Sequence, residues 1–366
     1  MTLAPRLRPA AYGVIHALVD AACAVAVVRV SHGSTVGDLG AFGTVAGYDL
    51  LAFGLQFPLG LLADRLRLAR PCMIVGAALT ALILAPISLS GLTTMMVAGA
   101  GNALFHLGAG GLVLRSAGGR AAPAGVFVAP GALGLGLGLW MGRTGRGSSF
   151  PIYVALAFAV VALITLDKPG TAAPTLAAPT QARRPLLPWL VLLALLLVSV
   201  KIRSFVGFGA CYQCPSGLAL AIGLPIAAFL GTLQGGMVAD RTGWQRASVV
   251  ALLLSFPPIA FSGGSLLLAL PGIVLFQSTM AVTVAAVYAL MPAWPSTAFG
   301  LPSLALVLGS LPTFYPAGKQ LFGPWMFALL IVSSTAALAV ALYKLGDAKP
   351  VAREQAQAEA GAVGAQ

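Results

Sequence analysis

Gly60-Leu61-Leu62-Ala63-Asp64-Arg65-Leu66-Arg67-Leu68-Ala69-Arg70 and Gly236-Met237-Val238-Ala239-Asp240-Arg241-Thr242-Gly243-Trp244-Gln245-Arg246 are two short polar stretches in a chain that has few of them. Asp64 and Asp240 stand 176 positions apart, close to half of the 366 residues. Each stretch separates two apolar runs, so each reads as a tight basic turn between helices. A turn that recurs at half the chain length points to a duplicated unit, as in transporters built from two related halves.

The surrounding composition sets the solvent. Only 8% of residues are charged (21 Lys+Arg, 9 Asp+Glu) and 59% are hydrophobic, with a mean hydropathy of +0.95. Soluble globular chains carry about 25% charged residues, so this chain lacks the charges to cover a surface in water. A water-soluble enzyme and a disordered protein are both excluded. Four cysteines are too few for a disulfide framework. The net charge of +12 suggests no nucleic-acid partner, because the basic residues lie between apolar runs and are not interleaved with aromatics. The partner that the composition requires is the lipid bilayer.

A span needs about 20 apolar residues. The runs predict twelve, at about 10–29, 38–62, 71–90, 92–114, 121–141 and 150–166, then 187–210, 216–238, 247–262, 265–290, 298–317 and 322–344. The fold expected is therefore an all-α membrane protein of twelve transmembrane helices in two pseudo-symmetric six-helix bundles. Residues 1–166 form the first bundle and 187–345 the second. An Ala/Pro/Thr-rich cytoplasmic linker, 167–186, joins them, and 346–366 form a flexible tail. Arg6 and Arg8 before an apolar run look like the start of a signal peptide. With His16 and Asp20 inside the run and no A-x-A site before a soluble domain, it is read as a retained first span. With both termini cytoplasmic, fifteen Lys/Arg fall inside and four (Arg29, Arg143, Arg146 and Lys319) outside, which is the positive-inside bias of a bacterial inner-membrane protein.

The duplicated turn resembles the G-x-L-A-D-R-x-G-R-[KR] signature of the major facilitator superfamily. The second copy keeps Gly236, Asp240, Arg241, Gly243 and Arg246. The first keeps Gly60, Ala63, Asp64, Arg65 and Arg70, and has Arg67 where the family has Gly. Within that superfamily the chain is similar to the fosmidomycin-resistance-like branch of drug-efflux carriers. The points of likeness are His16-x3-Asp20 in span 1, Phe105-His106 in span 4 and Arg203-Ser204-Phe205-Val206-Gly207-Phe208 in span 7. The resemblance implies a secondary transporter working by alternating access, with proton-coupled efflux of an amphipathic small molecule by antiport as the first expectation. It also implies that spans 1, 4, 7 and 10 line the cavity. Physically, Asp64 and Asp240 can accept hydrogen bonds at a neighbouring helix end and so act with Gly60, Arg65, Gly236, Arg241 and Gly243 as a conformational gate.

Ionisable groups in a span cost about 2.5–3.5 kcal/mol each on insertion scales and need a reason. His16 and Asp20 lie i, i+4 on one helix face, and Cys23 extends the stripe. With His106 and Arg203 they are the expected cavity and proton-coupling residues. Substrate binding that changes the Asp20–Arg203 distance would change proton binding. The structural alternative is that His16 and Asp20 simply pair. Gln56, Asn102, Gln234 and Gln277 read as helix–helix contacts or cavity residues. Cys211-x-x-Cys214 suits a disulfide, a redox pair or, with Cys23, a soft metal, and is a weak candidate for metal. No cofactor motif and no enzyme motif is present. The remaining alternatives are an importer of a solute or thiophilic metal ion, and a non-transporting facilitator-like subunit of a larger membrane complex.

Overall fold

The computed structural model describes residues 4–32, 40–167, 185–211, 214–315 and 320–346. Most of the expected linker, Lys319 and the expected tail beyond Gly346 lie outside these. Among the described residues the chain is all α, with a helix at each of the twelve predicted spans. Spans 1 to 6 are Arg8–His32, Gly40–Leu66, Ala69–Leu82, Gly91–Ser116, Ala122–Thr144 and Phe150–Thr165. Spans 7 to 12 are Leu186–Gly209, Leu218–Thr242, Trp244–Ala260, Leu266–Leu290, Pro295–Phe314 and Pro324–Leu345. Nine of them are long and apolar enough to cross a membrane. The helices of spans 3, 6 and 9 are shorter.

Helix is the state a lipid-facing chain must take, because it satisfies every backbone N–H and C=O internally. The ends follow local chemistry. Ser90 caps span 4 by accepting from the Thr93 N–H at 3.1 Å. Prolines occupy the first turn of spans 5, 6, 11 and 12, where their missing N–H leaves nothing unpaired. Span 3 stops at Leu82 rather than near 90. Pro86 four residues on has no N–H to give and disfavours helix at Ala85.

Two spans are interrupted. Span 2 contains a π-helical turn, Leu50–Gly54. Span 10 breaks between Gln277 and Met280, where the Ser278 and Thr279 hydroxyls donate to the Leu275 and Phe276 carbonyls. Side chains thus satisfy some of the backbone that the break frees, which is how broken helices persist in a membrane.

Within the first half, span 1 packs on spans 4 and 5, and span 3 on spans 4 and 6. Within the second, span 7 packs on spans 11 and 12, and span 9 on spans 10 and 12. The halves meet where span 5 lies on span 8 and span 11 lies on spans 2 and 4. Advancing each number by six turns the 5–8 contact into the 11–2 contact, which is the expected pseudo-twofold. Glycine lets span 5 lie close against span 1. A Cβ on Gly131 would stand 2.7 Å from Asp20 Oδ2, and one on Gly138 2.7 Å from the Cβ of Ala24. Close backbone approach is the usual reason for small residues between membrane helices.

Candidate functional site

The two quoted turns lie at one face of the molecule, and each reaches across to the other half. The N–H groups of Ser296 and Thr297, at the start of span 11, donate to Asp64 at 3.0 and 2.8 Å, and the Thr297 hydroxyl donates at 2.8 Å. In the mirrored place, the N–H groups of Ala121 and Ala122, at the start of span 5, donate to Asp240 at 2.8 and 2.9 Å. The Trp244 indole adds a third bond at 2.9 Å. A helix N-terminus offers unpaired N–H donors and a partial positive charge. Each carboxylate therefore caps a helix of the opposite half. Arg65 lies 6.0 Å from the Trp294 ring, also across the divide. Gly60 and Gly236 permit the approach: a Cβ on Gly60 would stand 2.8 Å from the Ser296 carbonyl oxygen, and one on Gly236 2.8 Å from that of Ala121.

The departures from the signature are informative. Arg67 has a left-handed backbone (φ 56°, ψ 39°), and its counterpart Gly243 has φ 94°. The position demands positive φ, so the first copy holds an arginine in a conformation that suits glycine. A further anchor was not foreseen. Asp167, placed by sequence at the start of the linker, is only 4% exposed. It accepts from Tyr12 at 2.8 Å and pairs with Arg8 at 3.2 Å, while Arg70 donates to its backbone carbonyl at 2.6 Å. The available signal was the spacing Tyr12-x3-His16-x3-Asp20, which continues the polar stripe of span 1 to that face.

Deeper in, three of the predicted residues converge. His16 Nε2 lies 3.0 Å from Asp20 Oδ2, His106 Nε2 lies 3.6 Å from Asp20 Oδ1, and the two Nε2 atoms are 2.7 Å apart. The opposite ring nitrogens settle the tautomers. His16 Nδ1 faces the Phe127 carbonyl at 3.0 Å and His106 Nδ1 faces the Asn102 carbonyl at 2.8 Å. A carbonyl only accepts, so both Nδ1 atoms carry hydrogen. In neutral rings both Nε2 atoms would then present lone pairs to each other. A proton between them resolves the contact and neutralises Asp20, whose Oδ1 also accepts from Asn102 Nδ2 at 3.0 Å. A proton on Asp20 instead would leave the two lone pairs opposed at 2.7 Å.

The same three side chains form a candidate metal set, with ligand atoms within 4.8 Å of one another. Two imidazoles on one tetrahedral zinc-like ion would stand about 3.3 Å apart, given bonds of about 2.0–2.1 Å. The observed 2.7 Å is a hydrogen-bond length. The arrangement fits a proton better than a metal. Cys211 and Cys214 are bonded to each other, and buried Cys23 donates to the Ala98 carbonyl at 3.6 Å.

His16, Asp20 and His106 line a cavity of ≈ 340 Å³ between the halves. Arg203 lines it too, and so do Gln277 and Met280 at the break in span 10 and Phe53 in the π turn of span 2. Arg203 does not reach Asp20. It donates to the Thr283 hydroxyl at 3.0 Å and to the Met280 sulfur at 3.2 Å. Phe299 also borders the cavity, its ring 5.7 Å from that of Phe127. Asn102 proves to be the hydrogen-bond partner of Asp20, Gln56 bonds within its own helix to the Ala52 carbonyl at 2.7 Å, and Gln234 is exposed.

No protein-family model matches the chain, and no curated protein matches it in sequence. Solved structures do match. The human organic anion transporter MFSD10 (TETRAN) aligns with a TM-score of 0.62 at 15% identity, over 90% of this chain and 99% of that one. The E. coli fucose:proton symporter FucP aligns at 0.58 and 12% identity, over 91% and 98%. FucP in its outward conformation aligns at 0.55 and 13% identity, over 89% and 98%. The chain has the major facilitator fold.

Proposed function

We propose that this chain is a secondary transporter, in which a small amphipathic solute occupies the cavity between the halves and crosses by alternating access. The coupling ion is the proton shared by His16, Asp20 and His106. The observation that carries this reading is the convergence of two imidazole nitrogens and a carboxylate on one another in the cavity wall. A buried, exchangeable charge beside the solute is what couples one binding event to the other. FucP, of the same fold, is by name a proton symporter, which supports the reading. The Asp64 and Asp240 caps hold the basic face shut, so the state described is closed on the side that the positive-inside rule makes cytoplasmic. The resemblance in sequence implies efflux by antiport; we favour the alternative, uptake by co-transport, because FucP is by name a symporter.

The test uses proteoliposomes loaded on the outside with a mixture of small solutes under an imposed pH gradient. Mass spectrometry identifies what accumulates. Asp20→Asn and His106→Gln are expected to lower gradient-driven accumulation at least tenfold while leaving gradient-free exchange measurable. Gradient-driven accumulation that survives in D20N would remove the proton site from the account, and no solute movement by the wild type would favour the non-transporting alternative.

A further inference from the structure

Arg203 is 2% exposed and lies within a span, yet no carboxylate pairs with it among the described residues. A guanidinium has five N–H donors and no acceptor. Here one donates to a hydroxyl and one to a thioether, a weak acceptor, while Nε has no partner. An arginine in the membrane ordinarily pairs with an anion or reaches water. Among the described residues its neighbours supply no anion. From span 10 it meets Thr283 and Met280, with Gln277 a further lining residue. From span 7 the nearby cation, Lys201, is exposed. Span 8 offers Thr232 and span 11 offers Ser303, both neutral. Span 1 brings Asp20, already engaged by His16 and Asn102, and span 4 brings His106. Cys23 and Tyr48, further along spans 1 and 2, are a thiol and a phenol, ordinarily uncharged.

Charge bookkeeping then runs in one direction. With the shared proton in place, the histidine–aspartate cluster is neutral and the cavity carries +1 from Arg203. Without the proton the cavity is neutral overall. A monoanion beside Arg203 brings the protonated cavity to zero and the deprotonated one to −1. Net charge inside a membrane is costly, so the first combination is favoured.

Resting on the reading above, we propose that Arg203 is the anchor for an anionic group of the substrate. The substrate class is thus an organic anion, a carboxylate or phosph(on)ate on an apolar body, which binds together with the proton and not in exchange for it. The apolar body has its place against Phe53, Leu135, Phe208, Val284 and Leu306. The planar guanidinium supplies a two-pronged donor for such a group, which a lysine would not. Cooperativity between proton and anion of about tenfold is the scale expected of charges coupled across such a cavity.

The experiment is titration calorimetry on the full chain in lipid nanodiscs. The probes are benzoate, 2-naphthoate and phenylphosphonate, each beside its neutral amide or ester, in two buffers of different ionisation enthalpy. At least one anion is expected to bind about tenfold tighter than its neutral partner and to take up protons on binding. R203Q should abolish the preference and R203K should retain part of it, which keeps the test meaningful if R203Q folds poorly. Neutral probes that bind as tightly as every anion, or protons released on anion binding, would overturn the proposal. The two readings separate cleanly. Loss of the anion preference with D20N still blocking gradient-driven accumulation sinks the anchor alone. A preference that persists while D20N leaves proton uptake intact sinks the proton site alone.

Discussion

Arg67 shows how one residue records a geometric demand. The turn needs a left-handed backbone, which costs a side-chain-bearing residue roughly 1–2 kcal/mol. R67G is expected to stabilise the protein by about 0.5–1 kcal/mol, the strain relieved being partly offset by the freedom glycine has when unfolded. R67A, which keeps the strain, should gain nothing. Reversible unfolding in detergent measures both, and equal stability of the two variants would contradict the argument. Gly131 makes the complementary point inside the bundle. A Cβ there would stand 2.7 Å from Asp20 Oδ2 and 2.5 Å from His16 Cε1. G131A should therefore displace the proposed proton site, cutting gradient-driven accumulation about tenfold or more, while the helices still assemble. Unchanged coupling in G131A would show that the His16–Asp20 pair tolerates movement.

At the level of elements, the proposed lock is a pair of helix ends capped from the opposite half. Hydrogen bonds to a charged group contribute about 1.5–3 kcal/mol each. D64N or D240N therefore withdraws a sizeable share of what holds the basic face shut. Each variant should expose a cysteine introduced at a buried position on that face, such as Ala121→Cys, 0% exposed, to a membrane-impermeant maleimide several-fold faster than the parent, and the double variant faster still. Labelling rates that match the parent in both single variants would mean that other contacts carry the closure. The breaks in spans 2 and 10 belong to this scale too. They set Phe53, Gln277 and Met280 on the cavity wall; the polar triplet Gln277-Ser278-Thr279 marks the break in span 10, whereas the apolar Leu50–Gly54 turn carries no mark in the sequence.

Across the whole molecule, the architecture was readable because the bilayer leaves so few options. Twelve apolar runs and a repeated basic turn sufficed for the span count and the duplicated plan. The i, i+4 spacing of His16 and Asp20 put those two on one face. What the sequence withheld were the pairings between helices: that His106 meets His16, that Asn102 orients Asp20, that Arg203 turns to Thr283 instead of Asp20, and that Asp167 is buried beneath Tyr12. Contacts made 80 to 160 positions apart depend on how helices rotate against each other, and a single chain does not specify that.

The central claim is that the two halves rock about the cavity, with one face closing as the other opens. Spin-label distances test it most directly. One pair sits across the basic face at Arg120 and Thr242, and the other across the opposite face at Arg143 and Leu218, all exposed positions. In the D64N/D240N variant the basic-face distance should gain a longer population while the opposite-face distance gains a shorter one. Two distances that stay fixed, or that lengthen together, would contradict the account.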